Sequence, residues 1–306
     1  MYKKINSLYN VNEKLYHMAR GKLMELKTIL SGLENLKVKG SLDVDVPNIK
    51  NDSRTVKPGD MFVAIKGFDI DGHEHINEAC ANGAKVILAQ TNQITKEDIK
   101  DVPEDVTIVI ADDTRYALAI CACNFYKNPS RKIKLIGVTG TKGKTTTTYM
   151  IRDILEKQGI KVGLIGTVAS YIGDTKIQNN DNTTPESLKL QEILAQMVEK
   201  DCEIVVMEVS SQSLKLHRVA GCNFYMAIFT NLAEDHISTK EHPNMEDYFN
   251  SKVELFKMCK TGIINSDDIY SITIPKLVPE CNYTTYGIDN NCDLLAKDIT
   301  VTNQYV

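Results

Sequence analysis

The sequence contains no tryptophan and no apolar run that approaches the length of a membrane-spanning helix. Such a helix needs about 20 consecutive apolar residues, and the N-terminus also lacks the long apolar core of a signal peptide. We therefore expect a cytoplasmic protein that makes no membrane contact. A strongly basic balance is missing as well, because the formal net charge is -4. Nucleic-acid-binding proteins normally carry a basic face, so the composition argues against a nucleic-acid partner.

Cysteine pairs with metal-ligand or redox spacing are also absent. The eight cysteines include no Cys-x-x-Cys motif, and several of them lie within otherwise apolar patterns. This distribution favours reduced and mostly buried thiols over disulfides or a zinc site. With 306 residues, 42% hydrophobic and 25% charged, the chain has the composition of an ordinary soluble protein with about two domains.

The order of predicted elements indicates two α/β domains. Residues 1–23 are polar and only partly periodic, so we interpret them as an appendage. Residues 24–130 contain short apolar strands and helices and form the first, small α/β domain. The boundary is expected at Asn128-Pro-Ser-Arg131, because the residue before a proline disfavours helix. In residues 131–306 apolar strands alternate with helices, which predicts a mainly parallel sheet flanked by helices. The predicted strands there are 135–138, 162–165, 204–208, 226–229 and 262–264.

A glycine-rich turn follows the first of these strands, within Leu135-Ile-Gly-Val-Thr-Gly-Thr-Lys-Gly-Lys-Thr-Thr146. Gly140 and Gly143 can adopt positive φ, so that backbone N–H groups converge on phosphate oxygens at the N-terminus of the following helix. Lys144 would reach the terminal phosphates, and the Thr145 hydroxyl would hold magnesium. The strict P-loop spacing is not met, because Val138 stands where its first glycine belongs. The prediction of a P-loop domain therefore needs support from other residues.

Polar residues follow two other strands of the predicted sheet, at the edge where ligands bind in parallel sheets. Glu208 ends an apolar strand, where a carboxylate needs a cation. The magnesium ion of a nucleotide is the expected partner, and a salt bridge to Lys or Arg is the alternative. Asp235 and His236 follow the next strand and could complete a metal shell, although a single histidine more often has a structural role.

Taken together, these residues resemble the Mur ligases, which build the peptide stem of bacterial cell-wall precursors. Thr139-Gly-Thr-Lys-Gly-Lys-Thr-Thr146 has the spacing of their ATP-binding motif, with Lys142 where the family usually has Asn. The resemblance covers residues 24 to about 300 and keeps the family order of its motifs. The other matching segments are Asp52-Ser-Arg54, Pro58-Gly-Asp-Met-Phe-Val-Ala-Ile65 with Asp71-Gly-His73, Asn182-Thr-Thr-Pro185, Met207-Glu-Val-Ser-Ser211 with His217-Arg218, and the segment from Tyr248 to Phe256 around Lys252.

The resemblance implies ATP and Mg²⁺ as cofactors and assigns site residues by motif. The implied ATP contacts are Gly140, Thr141, Lys142, Gly143, Lys144, Thr145 and Thr146. The implied magnesium ligands are Thr145, Glu208, His236 and Lys252, the last as a carbamate. The implied catalytic residues are Lys144, Glu208, His236 and Lys252. The implied precursor contacts are Ser53, Asn182, Thr183, Thr184, Ser210 and Arg218.

Without the resemblance, several of these residues would have simpler interpretations. Asp52-Ser-Arg54 would be an ordinary turn, and Arg218 would be a solvated arginine on a surface helix. The surroundings of Lys252 would be an amphipathic helix with a solvated lysine.

The implied reaction is an ATP-dependent amide ligation. ATP would phosphorylate the side-chain carboxylate of D-glutamate in UDP-N-acetylmuramoyl-L-alanyl-D-glutamate, and the amine of a diamino acid would attack the resulting acyl phosphate. The implied partners are therefore this UDP-linked precursor and a diamino acid, with meso-diaminopimelate expected and lysine as the alternative. We expect the protein to act as a monomer.

The resemblance also implies a third domain, which closes over ATP and selects the amino acid in family members. Because the sequence stops at Val306, we expect a fragment of a full ligase that lacks this domain and part of the central domain. Such a fragment would bind the precursor, hold ATP weakly and not ligate. The alternative is a complete chain that acts as a nucleotide- and precursor-binding module.

Overall fold

The computed structural model describes residues 23–235, 237–238 and 241–300. These residues form two compact units, which separate between Phe125 and Tyr126. The predicted appendage lies outside the described residues, apart from Leu23. The units separate before the expected boundary at residue 130, because residues 129–131 pack with the second unit, where the Ser130 hydroxyl accepts a hydrogen bond from the Asn223 N–H at 3.0 Å.

The first unit is a small α/β domain, as predicted, and its main sheet is mostly parallel. Its strands are β1 (Met24–Glu25), β2 (Lys37–Lys39), β3 (Asp45–Val46), β4 (Ile49–Lys50), β5 (Met61–Val63), β6 (Val86–Gln90) and β7 (Thr107–Ala111). Its helices are α1 (Leu26–Ile29), α2 (Ile76–Ala81) and α3 (Thr114–Phe125). The five-stranded sheet has the order β2-β7-β6-β5-β4, and only the β2–β7 pair is antiparallel. β1 and β3 pair separately.

The second unit contains a larger sheet flanked by helices. Its strands are β8 (Lys134–Thr139), β9 (Val162–Ile165), β10 (Ala169–Ile172), β11 (Thr175–Asn179), β12 (Ile204–Glu208), β13 (Phe224–Phe229), β14 (Thr261–Asn265), β15 (Asn282–Gly287) and β16 (Leu294–Leu295). Its helices are α4 (Lys144–Lys157), α5 (Ser187–Glu199), α6 (Ser211–Lys215), α7 (Met245–Val253) and α8 (Ile274–Leu277). The α/β fold class is therefore confirmed.

The nine strands of this sheet run in the order β11-β10-β9-β12-β8-β13-β14-β15-β16. Every pair of neighbours in the series β9-β12-β8-β13-β14-β15-β16 is parallel. β10 and β11 form an antiparallel hairpin at one edge, next to β9. The hairpin was not predicted from the sequence, because β11 is polar and largely exposed and has no apolar pattern.

The carboxyl ends of three adjacent strands position the functional site. β8 lies between β12 and β13, and Val138 pairs with Glu208 on one side while Thr139 pairs with Phe229 on the other. The strand interiors are apolar and buried, which fixes their register. As a result, the segments that follow these three strands converge at one edge of the sheet.

No helix in the described ranges is long and apolar enough to cross a membrane. All eight cysteines are free thiols, and most of them are buried.

Candidate functional site

The glycine turn after β8 has a backbone that only glycine accommodates at residue 140. Gly140 has a φ of +147°, and a Cβ placed there would lie 2.0 Å from the Thr230 Oγ1 atom. Gly143 has a φ of +83° and precedes the first residue of α4. The left-handed conformation is strained for other residues, so both glycines shape the turn.

Hydrogen bonds and an ion pair connect the glycine turn to the segment that follows β13. The Thr141 N–H donates to the Asn231 carbonyl at 2.8 Å, and the Lys142 N–H donates to Asn231 Oδ1 at 2.9 Å. The Thr230 hydroxyl donates to the Lys142 carbonyl at 2.7 Å, and the Lys142 ammonium pairs with Asp235 at 2.7 Å. Because these N–H groups are engaged, a phosphate would be held by the N–H groups at the start of α4, which lack partners within the helix.

The Lys144 side chain folds back over this turn. Its ammonium donates to the carbonyls of Gly140 at 2.8 Å and Thr141 at 3.0 Å. Burial lowers the pKa of Lys144 most, and the nearby carboxylate of Glu208 acts in the opposite direction. The amine therefore lies where phosphate oxygens would approach the turn.

Glu208 is a buried carboxylate next to the first turn of α4, with 1% of its surface exposed. Its Oε2 atom accepts from the Thr145 hydroxyl at 2.9 Å, and its Oε1 atom accepts from the Thr167 N–H at 2.9 Å. In the part of the chain that the structure describes, hydroxyl and N–H groups bond this carboxylate, and it forms no salt bridge with Lys or Arg. The oxygen atoms of Thr145 and Glu208 thus lie side by side, and oxygen is the ligand type that magnesium prefers.

Lys252 is deeply buried on α7, with 1% of its surface exposed, so it is not a solvated lysine. Its amine donates to the Gly140 carbonyl at 3.1 Å and lies 4.3 Å from the centre of the Tyr248 ring. Burial lowers the pKa of Lys252 well below 10.5, and the charge of Lys144 lowers it further, with Asp235 opposing. A lowered pKa favours the neutral amine, which is the form that reacts with carbon dioxide.

A cavity of about 240 Å³ in the second unit brings together residues from most of the predicted motifs of this unit. The predicted residues that line it are Lys144, Asn182, Thr183, Ser210, Arg218 and Lys252. The cavity is also lined by residues to which the sequence analysis assigned no site role, namely Ser211, Gln212, Glu241, His242 and Tyr248.

Thr184 and Arg218 support the wall of this cavity. The Thr184 hydroxyl is fully buried, donates to the Glu208 carbonyl at 2.9 Å and accepts from the Ser210 N–H at 3.0 Å. Arg218 donates to the Thr184 carbonyl at 3.2 Å and pairs with Glu186 at 2.7 Å. Arg218 is therefore not a solvated surface arginine, and the precursor contact of Thr184 stays a prediction.

The predicted metal ligand His236 lies outside the described residues. Asp235 next to it is described and pairs with Lys142. Among the described residues, no cluster of three or more His, Cys, Asp or Glu side chains could hold a metal ion. A magnesium site would therefore depend on Thr145 and Glu208, together with groups whose role remains a prediction.

In the first unit, Ser53 and its neighbours are bonded to one another. The Ser53 hydroxyl is buried and donates to Glu78 at 2.6 Å. Asp52 caps a short 3-10 helix over Ser53–Thr55 and pairs with Arg54 at 2.8 Å. The simpler interpretation of this segment as a turn thus describes its local structure, and a precursor contact by Ser53 stays a prediction.

A buried histidine in the cavity wall was missed by the sequence analysis. The Nδ1 atom of His242 lies 2.6 Å from Asp247 Oδ2, and its Nε2 atom lies 2.9 Å from the Ser211 hydroxyl. Burial lowers the pKa of His242 most, together with Lys215 and Lys252, while Asp247 opposes them. The available signal was Asn244, which caps α7 by accepting from the Asp247 N–H and so marks the helix start just after His242.

The chain matches two family descriptions from the same enzyme class. Residues 138–306 match the Mur ligase middle domain, and residues 45–126 match the Mur ligase family catalytic domain. A UDP-N-acetylmuramoyl-L-alanyl-D-glutamate–2,6-diaminopimelate ligase of Clostridium botulinum is 47% identical over 278 residues, which are 90% of this chain and 55% of that protein. The Bacillus licheniformis ligase of the same name is 38% identical, again over 90% of this chain and 56% of that protein.

Solved structures of related ligases share the fold. One structure of a UDP-N-acetylmuramoyl-L-alanyl-D-glutamate–2,6-diaminopimelate ligase superposes with a TM-score of 0.72 at 22% identity, covering 88% of this chain and 53% of the other. A MurF structure from Acinetobacter baumannii gives a TM-score of 0.58 at 19% identity, covering 90% and 55%. The chain spans about half the length of the curated relatives that it matches.

Proposed function

This chain belongs to the Mur ligase family, and on that premise we propose that it carries the ATP- and precursor-binding part of an amide ligase. The proposed reaction adds diaminopimelate to UDP-N-acetylmuramoyl-L-alanyl-D-glutamate in an ATP-dependent step. The name of the relatives at 38% to 47% identity supports this choice over lysine. The free thiols of all eight cysteines support the reducing cytoplasm as the compartment.

The cavity beside the glycine turn is the observation that carries the proposal. Six residues that the sequence motifs assign to ATP, precursor or magnesium line this one space, although they come from segments far apart in the chain. The motifs assign Lys144 to the ATP phosphates and assign Asn182, Ser210 and Arg218 to the precursor. A terminal phosphate and an acceptor carboxylate would therefore meet in this cavity.

The side chains in the cavity supply positioning and positive charge. Lys144 neutralises charge on the phosphoryl group during transfer to the D-glutamate carboxylate, and the N-terminus of α4 holds the remaining phosphate oxygens. Asn182, Thr183 and Ser210 orient the precursor by hydrogen bonds. Holding two anionic substrates in line accounts for most of the expected acceleration, because the reaction needs no protein nucleophile.

The residues around Glu208 fit a magnesium ion. Thr145 and Glu208 present adjacent oxygen atoms, and a buried carboxylate that has no basic side-chain partner among the described residues favours a bound cation. Magnesium, held by these residues and by His236, would neutralise phosphate charge when bound.

We also propose that Lys252 carries a carbamate. Its burial and lowered pKa favour the neutral amine, which attacks carbon dioxide and releases a proton, and the product would be a carboxylate able to bind a second magnesium ion. A carbonyl resonance from ¹³C-bicarbonate, seen by NMR in the wild-type chain and lost in Lys252→Met, would support the carbamate. The absence of that resonance in the wild type at saturating bicarbonate would exclude it.

Calorimetric titration of ATP into the 306-residue chain tests the nucleotide site. Lys144→Met should weaken ATP binding about tenfold to a hundredfold, because it removes one charge-assisted contact. Glu208→Gln should abolish the gain in affinity that magnesium provides. Lys157→Met is the matched control, since Lys157 lies exposed in the last turn of the same helix. Equal affinities for the Lys144 and Lys157 variants would contradict the proposed site.

A further inference from the structure

We propose that Ser211 is an activated nucleophile that accepts an acyl group from an anionic acyl phosphate bound in the cavity. The proposal rests on a hydrogen-bonded chain of three side chains, Asp247, His242 and Ser211, in the cavity wall. It does not depend on ATP or on the ligase reaction, which needs no protein nucleophile. It would add a second, covalent chemistry to the same cavity.

The distances within this chain fit general-base activation of a hydroxyl. The carboxylate of Asp247 lies 2.6 Å from His242 Nδ1, and the Ser211 hydroxyl lies 2.9 Å from His242 Nε2. A carboxylate only accepts hydrogen bonds, so the proton of the neutral imidazole is on Nδ1 and the Nε2 lone pair faces the serine. Nucleophile, base and orienting acid in this order are the signature of an activated serine.

Hydrogen bonds and packing hold the three side chains in place. Ser211 is the first residue of α6, just after β12, and Asp247 lies in the first turn of α7. The His242 ring is fully buried and packs 4.9 Å from the ring of Tyr248. Lys215 pairs with Asp247 at 2.7 Å, which keeps the carboxylate ionised and fixed. This arrangement needs little reorganisation before reaction.

A second buried histidine shows what a purely structural pair looks like in the same chain. His73 in the first unit lies 2.6 Å from Asp71, the same distance as in the His242 pair. Its Nε2 atom, however, accepts from the Gln90 backbone N–H at 3.0 Å. A backbone amide cannot act as a nucleophile, whereas the hydroxyl that faces His242 belongs to a residue that lines the cavity.

The charge of the cavity indicates an anionic substrate. Lys144 and Arg218 line the same space as Ser211, and Glu241 is the one acidic residue among the described residues that line it. In the proposed step, Ser211 Oγ attacks the acyl carbon and its proton moves to His242 Nε2. The bond between the acyl carbon and the phosphate oxygen breaks, and inorganic phosphate leaves with the bonding electrons. An ester on Ser211 remains.

Acetyl phosphate and a fluorophosphonate are suitable probes for the 306-residue chain. We expect each probe to modify Ser211, detected by intact mass and peptide mapping, and Ser211→Ala to lose this modification. His242→Gln should slow it at least about a hundredfold, because glutamine can hydrogen-bond both neighbours but cannot take the proton. His73→Gln, the matched control, should react like the wild type.

Peptide mapping separates this reaction from unspecific acetylation of lysines, which would not depend on His242. Circular dichroism shows whether each variant is folded. If Ser211 in the folded wild type is unmodified by both probes, or reacts equally fast in folded His242→Gln, the proposal is wrong. Either result leaves the proposed ATP site untouched, since no nucleotide is used.

Discussion

The two units each bury a histidine against an aspartate, but they place the two pairs in different surroundings. His73 and His242 are both almost fully buried, with carboxylates 2.6 Å from Nδ1. In the first unit the remaining ring nitrogen is bonded to backbone, and in the second it meets a serine hydroxyl at a cavity. Burial and a carboxylate partner therefore do not mark a functional histidine. The group on the other nitrogen is what distinguishes the two pairs.

The same contrast holds for the basic side chains. Arg54 in the first unit is 79% exposed and pairs with Asp52 two residues away. Arg218 in the second unit is buried and holds segments that are distant in sequence. Arg54 thus pairs with a residue nearby in sequence, whereas Arg218 joins distant segments beside the cavity. Substitutions in matched pairs can test this difference.

Gly140→Ala should have the largest effect of these pairs. The new Cβ would overlap Thr230 and force a left-handed φ on alanine, so we expect a loss of about 3 kcal/mol in the free energy of unfolding. Gly32 in the first unit has a φ of +84°, but a Cβ placed there would meet no atom within 4 Å. Gly32→Ala should therefore lower the free energy of unfolding by only about 1 kcal/mol. Urea unfolding followed by circular dichroism suits a chain without tryptophan. Equal losses would mean that the turn is not tightly packed.

Arg218→Ala should have the next largest effect. It leaves the buried Thr184 carbonyl without this donor and removes the ion pair with the partly exposed Glu186, so we expect a loss of about 2 kcal/mol in the free energy of unfolding. Arg54→Ala removes an exposed pair and should change stability by less than about 0.5 kcal/mol. The same urea titration measures both variants. A larger loss for Arg54→Ala would reverse the contrast between the units.

His242→Gln should have the smallest effect at neutral pH and a clear one in acid. The native pKa of His242 lies below the unfolded value of 6.5 because burial, Lys215 and Lys252 outweigh Asp247. At a pH between the native and the unfolded pKa of His242, the unfolded chain binds more protons than the native chain. The free energy of unfolding of the wild type therefore falls by up to about 1.4 kcal/mol per pH unit as the pH falls below 6.5.

The His242→Gln variant should lack this part of the pH dependence. His73→Gln is the control for the loss of a buried histidine bonded to aspartate. Stability measured by urea unfolding between pH 7 and pH 5, at about one-half unit steps, gives the slopes. A slope for His242→Gln equal to that of the wild type would show that the imidazole is protonated as easily in the folded state as in the unfolded state.

Much of the second unit was predictable from the sequence. Its buried parallel strands have continuous apolar runs, and the glycine turn, Glu208 and Lys252 belong to motifs with fixed spacing. The hairpin β10–β11 was not predictable, because an exposed edge strand has no apolar pattern. The proposed role of His242 also escaped detection, since Ser211, which is distant in sequence, becomes its neighbour only through the packing of α6 against α7.

The Gly140 carbonyl accepts hydrogen bonds from the amines of both Lys144 and Lys252. One oxygen atom therefore connects the two amines, and each positive charge disfavours the other. An anion that draws Lys144 away from the turn would raise the proton affinity of Lys252 by removing a competing donor and a nearby charge. By thermodynamic reciprocity, any group that occupies the Lys252 nitrogen alters the strength with which the turn holds an anion. The two lysines thus form a negatively cooperative pair.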